Sequence, residues 1–247
     1  MTQSQFILPD WPTPKNIRAA VTTRLGGVSQ CPYTSFNLAA HVGDSPTAVH
    51  ENRTRLRGAL ALPAEPRWLK QVHGITVVDA AQADVEPEAD GAFCAQPGVV
   101  CAVLTADCLP VLLCNRQGTK VAALHAGWRG LVGGVIEAGV KALNLPGNEL
   151  LVWLGPAIGA EKFEVGVEVR TVFVQHDPQA ASAFRATREG KYLADIYLLA
   201  RQRLQKLGIA GIYGGGLCSV TDSERFFSYR RDGVTGRMAT LIWIDNG

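Results

Sequence analysis

An α/β fold, with mixed β-sheet layers covered by helices, is what this sequence predicts, and three observations carry it. Short continuous apolar runs recur at residues 99–105, 111–114, 120–124, 150–154 and 238–244, as expected of strands buried on both faces. Stretches at 44–60 and 195–207 combine helical apolar spacing with helix-start residues. No solenoid-length repeat or low-complexity tract interrupts the 247 residues, so a single domain spanning 1–247 is expected.

The elements follow in order. Residues 1–16 hold Pro9, Pro12 and Pro14 and read as an extended N-terminal arm. A strand at 17–23 ends in the turn Arg24-Leu25-Gly26-Gly27. Asp44-Ser45-Pro46 starts a helix reaching about residue 60, with Val49, Leu56 and Leu60 facing inward. Short strands are expected at 68–72 and 76–78, before an acidic loop at 81–89. The apolar run at 99–105 is a buried strand, and Pro110 is expected to break it before 111–114 resumes. After a turn at 115–118 come a strand at 120–124, a helix at 131–143 despite its three glycines, and a strand at 150–154. Residues 165–174 fit helix or strand equally. The helix at 195–207 stops at Gly208, and strands at 209–213 and 238–244 close the chain.

Composition narrows the function. Lys plus Arg is 24 and Asp plus Glu is 22, a net charge of +2, which excludes polyanion binding driven by bulk charge. Six cysteines without a Cys-x-x-Cys pair exclude a disulfide scaffold or zinc ribbon. The apolar run at 99–114 carries Asp107 and Pro110 and is too short to span a bilayer, and the N-terminus has no basic, apolar leader pattern. Neither a Gly-x-Gly-x-x-Gly turn nor a Walker A loop is present. The expectation is a cytoplasmic protein acting on small molecules, without nucleic-acid or membrane partners.

Three segments join reactive side chains to backbone punctuation just after apolar runs: Gln71-Val72-His73-Gly74, Thr105-Ala106-Asp107-Cys108-Leu109-Pro110 and His125-Ala126-Gly127-Trp128-Arg129-Gly130. His73, Cys108 and His125 make a three-ligand metal set with an open fourth position, the catalytic zinc pattern, in which a bound water becomes a nucleophile near neutral pH. The same residues also allow a Cys–His hydrolase, with Cys108 as nucleophile, His125 as base and Asp107 or another polar group as orienter. The strand–loop–helix at 125–130 offers an anion site with Arg129 beside it, although a plain turn explains it as well. Arg24 and Asn37 are candidate ligand contacts, Arg230-Arg231 a candidate anion clamp, and Phe226, Phe227 and Tyr229 candidate stacking groups. His41, His50 and His176 read as surface residues, and Cys101 and Cys114 as inert buried thiols.

QVHG, TADCLPVLL, HAGWRG, LGPAIG, FEVG and FFSYRRDGVTGRMAT, in this order, resemble the YfiH-like family, also called the laccase-domain or multicopper polyphenol oxidase family and, more recently, purine nucleoside phosphorylases. The resemblance covers about residues 21–244. It implies a fold related to cysteine-hydrolase-like toxins and a metal site, usually zinc with copper as an alternative, on His73, Cys108 and His125. It implies phosphorolysis of adenosine, inosine and methylthioadenosine, with adenosine deamination beside it. The catalytic set would be Cys108, His125 and Asp107, with Arg24, Asn37 and Arg129 binding substrate. Two other activities attach to the family: a peptidoglycan-precursor amidase and copper-dependent polyphenol oxidation. The latter fits poorly, because the chain has 5 histidines and only two lie in motif positions. The stretch Gly159-Ala160-Glu161-Lys162 lacks a cysteine that many members carry there, which argues against a second thiol at that place.

Overall fold

The structure, a computed structural model, describes residues 4–245. In chain order the strands and helices are β1 (Phe6–Ile7), β2 (Ile17–Thr22), α1 (Pro46–Ala59), β3 (Val77–Asp79), β4 (Gly91–Cys94), β5 (Val100–Thr105), β6 (Leu109–Asn115) and β7 (Val121–Ala126). There follow α2 (Trp128–Gly133), α3 (Val135–Leu143), β8 (Leu150–Leu154), β9 (Glu164–Gly166), α4 (Val167–His176), β10 (Phe184–Arg188) and β11 (Lys191–Ala194). The chain ends through α5 (Ile196–Lys206), β12 (Gly211–Gly214), α6 (Tyr229–Asp232) and β13 (Met238–Ile244).

Two sheets stack face to face between helices. The six-stranded sheet runs β12-β8-β6-β7-β4-β3 and the four-stranded sheet β1-β2-β13-β5, with a small third sheet β10-β11-β9. Period-two alternation explains why the central strands are apolar at every position. Leu109, Val111 and Leu113 of β6 pack with Leu131, Ile136, Val140 and Leu204 from the helices. Leu112 and Cys114 point the other way, onto Cys101, Val103 and Ile242 of the four-stranded sheet. The outer face of that second sheet, Ala102, Leu104, Leu241 and Trp243, is covered by Phe36, Leu38 and Leu56. The expected α/β class with mixed, helix-covered sheets is therefore the architecture found.

Both long helices keep their expected caps. Ser45 accepts from the Ala48 N–H to start α1, and Asp195 accepts from the Leu198 N–H to start α5. Val49 and Leu56 are buried as expected. Gly208, just beyond α5, has φ +76°, the left-handed conformation that glycine adopts at least cost.

Several local expectations are corrected. Pro110 does not break a strand; it lies inside β6, opposite His125 of β7. Its carbonyl accepts from the Gly155 N–H, so its nitrogen faces the Gly155 carbonyl that a ladder N–H would have met. The Tyr197 hydroxyl donates to that carbonyl instead, at 2.9 Å, which is why proline is tolerated there. The segment 68–72 is not a strand: it makes one isolated bridge, Lys70 to Glu88, next to that of Arg67 with Cys101. The helix expected at 131–143 is two helices, parted at Gly134 with φ +106°. Residues 165–174 are both things in turn, the end of β9 and then α4. The hairpin β10–β11 was not expected, because its residues are mostly exposed and carry no apolar alternation. Of the N-terminal arm, residues 1–3 lie outside the described residues; β1 is short and pairs with β2.

Candidate metal centre

One end of the six-stranded sheet gathers the chemistry. β6 and β7 run antiparallel with Leu109 opposite Ala126, so Cys108, just before β6, and His125, near the end of β7, arrive at the same end of the sheet. His73 comes from the loop before β3, and Asp90 immediately precedes β4, whose Gly91 pairs with Leu124. The donor atoms of His73, Cys108 and His125 all lie within 4.8 Å of one another. His73 Nε2 is 3.8 Å from Cys108 Sγ, and the two imidazole rings meet edge-on with centroids 4.8 Å apart.

Asp90 builds this cluster. It is completely buried. Its carboxylate accepts from the N–H groups of Val72, His73 and Gly74 at 3.2, 2.9 and 2.6 Å, which fixes the His73 loop. It also accepts from His125 Nδ1 at 2.8 Å. An ionised carboxylate only accepts, so Nδ1 carries a proton and Nε2 is the nitrogen that would serve as ligand once deprotonated, the carboxylate–histidine arrangement common behind metal ions. The His73 backbone sits at φ +62°, a strained left-handed conformation for a non-glycine residue, and the Asp90 bonds hold it there.

Charge at the cluster is coupled. Burial pushes the Cys108 thiol up, but the His125 charge and hydrogen bonds from both histidines outweigh it and bring it down to about 6. Burial pushes His125 down, but the Cys108 charge and the Asp90 hydrogen bond outweigh it and raise it to about 9. Burial pushes Asp90 up, and the bonds from His125, Gly74 and Val72 win, holding it below the ordinary carboxylate value. At neutral pH Cys108 and His125 thus form a thiolate–imidazolium pair. Cys101 and Cys114 behave oppositely, as expected: burial drives both thiols up, Cys114 to about 12.

The donor set fits a metal ion. Two imidazole nitrogens and one thiolate are borderline-soft ligands suited to zinc, and three protein donors leave an open position. Gly127 is required by this crowding: a Cβ there would lie 2.8 Å from His73 Cδ2 and 3.0 Å from Cys108 Sγ. Gly130 likewise lets the backbone pass the Gly74 carbonyl, which a Cβ would approach to 2.8 Å. The cluster opens into a pocket of about 240 Å³ whose walls include His41, Leu104, Ala106, Tyr229 and Arg237.

The other expected site residues are placed differently. Asp107 does not orient His125. Its carboxylate accepts from the Ser219 hydroxyl and the Arg230 N–H, both at 2.6 Å, and its φ of +90° turns it away from that role. Asn37 is fully buried. Its amide is used up by the Ala39 carbonyl and N–H, the Asp44 carboxylate and the Arg237 N–H. Arg24 donates to the Thr34 and Ser223 carbonyls and lies over the Phe227 ring. Arg129 is exposed and lies over Trp128. Neither arginine lines the pocket, and α2, with 6 residues, is too short and too early broken to serve as an anion-binding terminus. Phe226 and Phe227 are core. Arg231 spends its donors on backbone carbonyls and Asp232, and Arg230 gives Nη1 to the Lys162 and Glu164 carbonyls; neither lines the pocket.

Sequence reasoning missed Asp90 and Arg237. Asp90 sits at the end of an acidic loop with nothing local to mark it. His41 is exposed, as expected of a surface residue, and it also lines the pocket. Arg237 lies in the resembling segment, but only the fold brings it to the cluster.

A sequence profile of the family described as multi-copper polyphenol oxidoreductase laccase matches residues 18–245. The chain is 54% identical to the purine nucleoside phosphorylase YfiH of Escherichia coli K12 over 242 residues, 98% of this chain and 99% of that protein. It is 55% identical to a purine nucleoside phosphorylase of Pseudomonas aeruginosa, with the same coverage. Among solved structures it is similar to a Neisseria meningitidis protein, with a TM-score of 0.96 and 50% identity over 98% of this chain and 100% of that one. It is also similar to YlmD of Geobacillus stearothermophilus, with a TM-score of 0.92 and 30% identity over 100% and 98% of the two chains.

Proposed function

Because this chain belongs to the multi-copper polyphenol oxidoreductase laccase family, whose YfiH-named relatives are called purine nucleoside phosphorylases, we propose that it is a zinc-dependent purine nucleoside phosphorylase of the cytoplasm. Its substrates are adenosine, inosine and methylthioadenosine, and adenosine deamination is a second activity at the same site. The observation that carries the reading is the open two-nitrogen, one-sulfur cluster at one wall of a ligand-sized pocket.

His73, Cys108 and His125 hold the zinc. When bound, it supplies Lewis acidity, polarising a donor atom and lowering its pKa. Asp90 keeps His125 in the ligating tautomer. Leu104 and Ala106 give the pocket an apolar wall, and the Tyr229 ring offers a face for the purine. In phosphorolysis a phosphate oxygen bonds to the ribose anomeric carbon as the bond to the purine nitrogen breaks, and the base leaves with a proton. In deamination water replaces the amino group, which departs as ammonia. Polyphenol oxidation is not part of the proposal: a trinuclear copper centre needs several histidine sets, and among the described residues a single His/Cys/His group is gathered.

A second reading has its own support. Cys108, His125 and Asp90 form a Cys–His–Asp array with an ionised thiol, the equipment of a cysteine amidase. Chromatography of products separates the readings. Zinc-loaded protein given adenosine and phosphate should yield adenine and ribose 1-phosphate, and inosine without phosphate. Chelation should abolish both. No nucleoside product, with cleavage of peptidoglycan-precursor peptides that survives chelation, would install the amidase instead.

A further inference from the structure

The walls of the pocket include Arg237 and the imidazoles of His41, His73 and His125, and no carboxylate. Its one anionic group is the Cys108 thiolate, which a metal would neutralise. Arg237 is the fixed charge among them. Burial pushes its guanidinium down, opposed by the charges of Cys108 and Asp107, yet arginine stays protonated. Arg53 and Arg203, similarly enclosed, sit against Glu86 and Glu137. Arg237 has no ion-pair partner among the described residues. Among the described residues its guanidinium donates only from one terminal nitrogen, Nη1, to the Thr235 and Gly236 carbonyls, and it lies over the Tyr229 ring. Nε and Nη2 are left over, two parallel donors of the fork that matches an oxyanion. The backbone is anchored separately, since the Arg237 N–H donates to Asn37 Oδ1 at 3.0 Å. A half-buried cation with no directly paired counter-charge is unfavourable, and an arriving anion offsets that cost.

We propose that Arg237, assisted by His41, is a phosphate-dianion subsite of the pocket, and that Asn37 is the positioning residue that presents it. The proposal rests on the nucleoside-phosphorylase reading for its biological meaning, but the subsite is testable without it. Burial and the Arg237 charge lower His41 below the ordinary imidazole value, so at pH 7 it is a neutral donor beside the guanidinium. Inorganic phosphate and the phosphate of a nucleoside monophosphate share this chemistry.

Calorimetric titration of inorganic phosphate, and separately of adenosine 5′-monophosphate, into zinc-loaded protein is the test. The wild type should bind at least one of the two, and the one bound identifies the source. Arg237→Gln should bind it at least about tenfold more weakly, with zinc content unchanged. Arg237→Lys keeps the charge without the fork and should fall between them, whereas a variant that merely loosened the loop would not recover. No binding of either compound by the wild type, or equal binding by Arg237→Gln, overturns the subsite. Arg237-dependent phosphate binding without adenine production would keep the subsite and remove the phosphorylase reading. Adenine production with Arg237-independent phosphate binding would do the reverse.

Discussion

Two buried aspartates flank the cluster, and they do different work. Asp107 is the neighbour of Cys108 in the chain, yet its carboxylate faces away to Ser219 and Arg230. Asp90 is 18 residues from Cys108 in sequence, yet it touches His125 and the whole His73 loop. Asp90 organises ligands; Asp107 ties the loops at 219 and 230 to the turn that carries Cys108. Adjacency in sequence identifies the turn, and the sheet register identifies the partner.

The contrast is sharpest under substitution. Asp90→Asn presents an amide where His125 needs an acceptor and weakens the bonds to the 72–74 N–H groups. Zinc affinity, read by competition with a chromogenic chelator, should fall by about 10–100-fold. A loss as large in Asp107→Asn would erase the distinction.

Acid and base probe the same pair. At neutral pH, without metal, His125 carries a proton on its ligating nitrogen while Cys108 is already ionised. Zinc must displace that proton, so affinity should rise about tenfold per pH unit between about 6 and 9 and level off above. Below about 6 the thiol also needs deprotonating and the dependence should steepen. The Asp90 contribution to folding is lost in the same direction, towards acid. Its folded value is lowered, so its stabilisation is full above about pH 4 and is lost as pH falls through the folded value. Acid unfolding of Asp90→Asn should accordingly show a flatter pH dependence than wild type.

Asp107→Asn should leave zinc affinity within about threefold. It should cost about 1–3 kcal/mol of stability in urea melts through the Ser219 and Arg230 bonds. The smallest effect is expected from Arg129→Gln. Its side chain is exposed and outside the pocket, so turnover and phosphate affinity should match wild type. A clear loss there would return the anion site to the 125–130 loop.

Much of this was legible in the sequence because the three ligands sit where apolar runs end. Strands buried on both faces write themselves as continuous apolar stretches, and β5, β6, β7, β8 and β13 were visible for that reason. Local exceptions were not. Pro110 is accommodated by a hydroxyl 87 residues away, at Tyr197, which no window around the proline contains. Gly134 parts a helix whose apolar spacing alone looked continuous. Asp90 and Arg237 reach the site through β4 and the segment before β13, so their roles exist only after the sheets have formed.

The most direct test of the metal centre is a zinc-edge X-ray absorption spectrum of the zinc-loaded protein. The geometry predicts one sulfur at about 2.3 Å and two imidazole nitrogens at about 2.0–2.1 Å, with the sulfur lost in Cys108→Ala. A wild-type shell without sulfur, or one unchanged in Cys108→Ala, would contradict it.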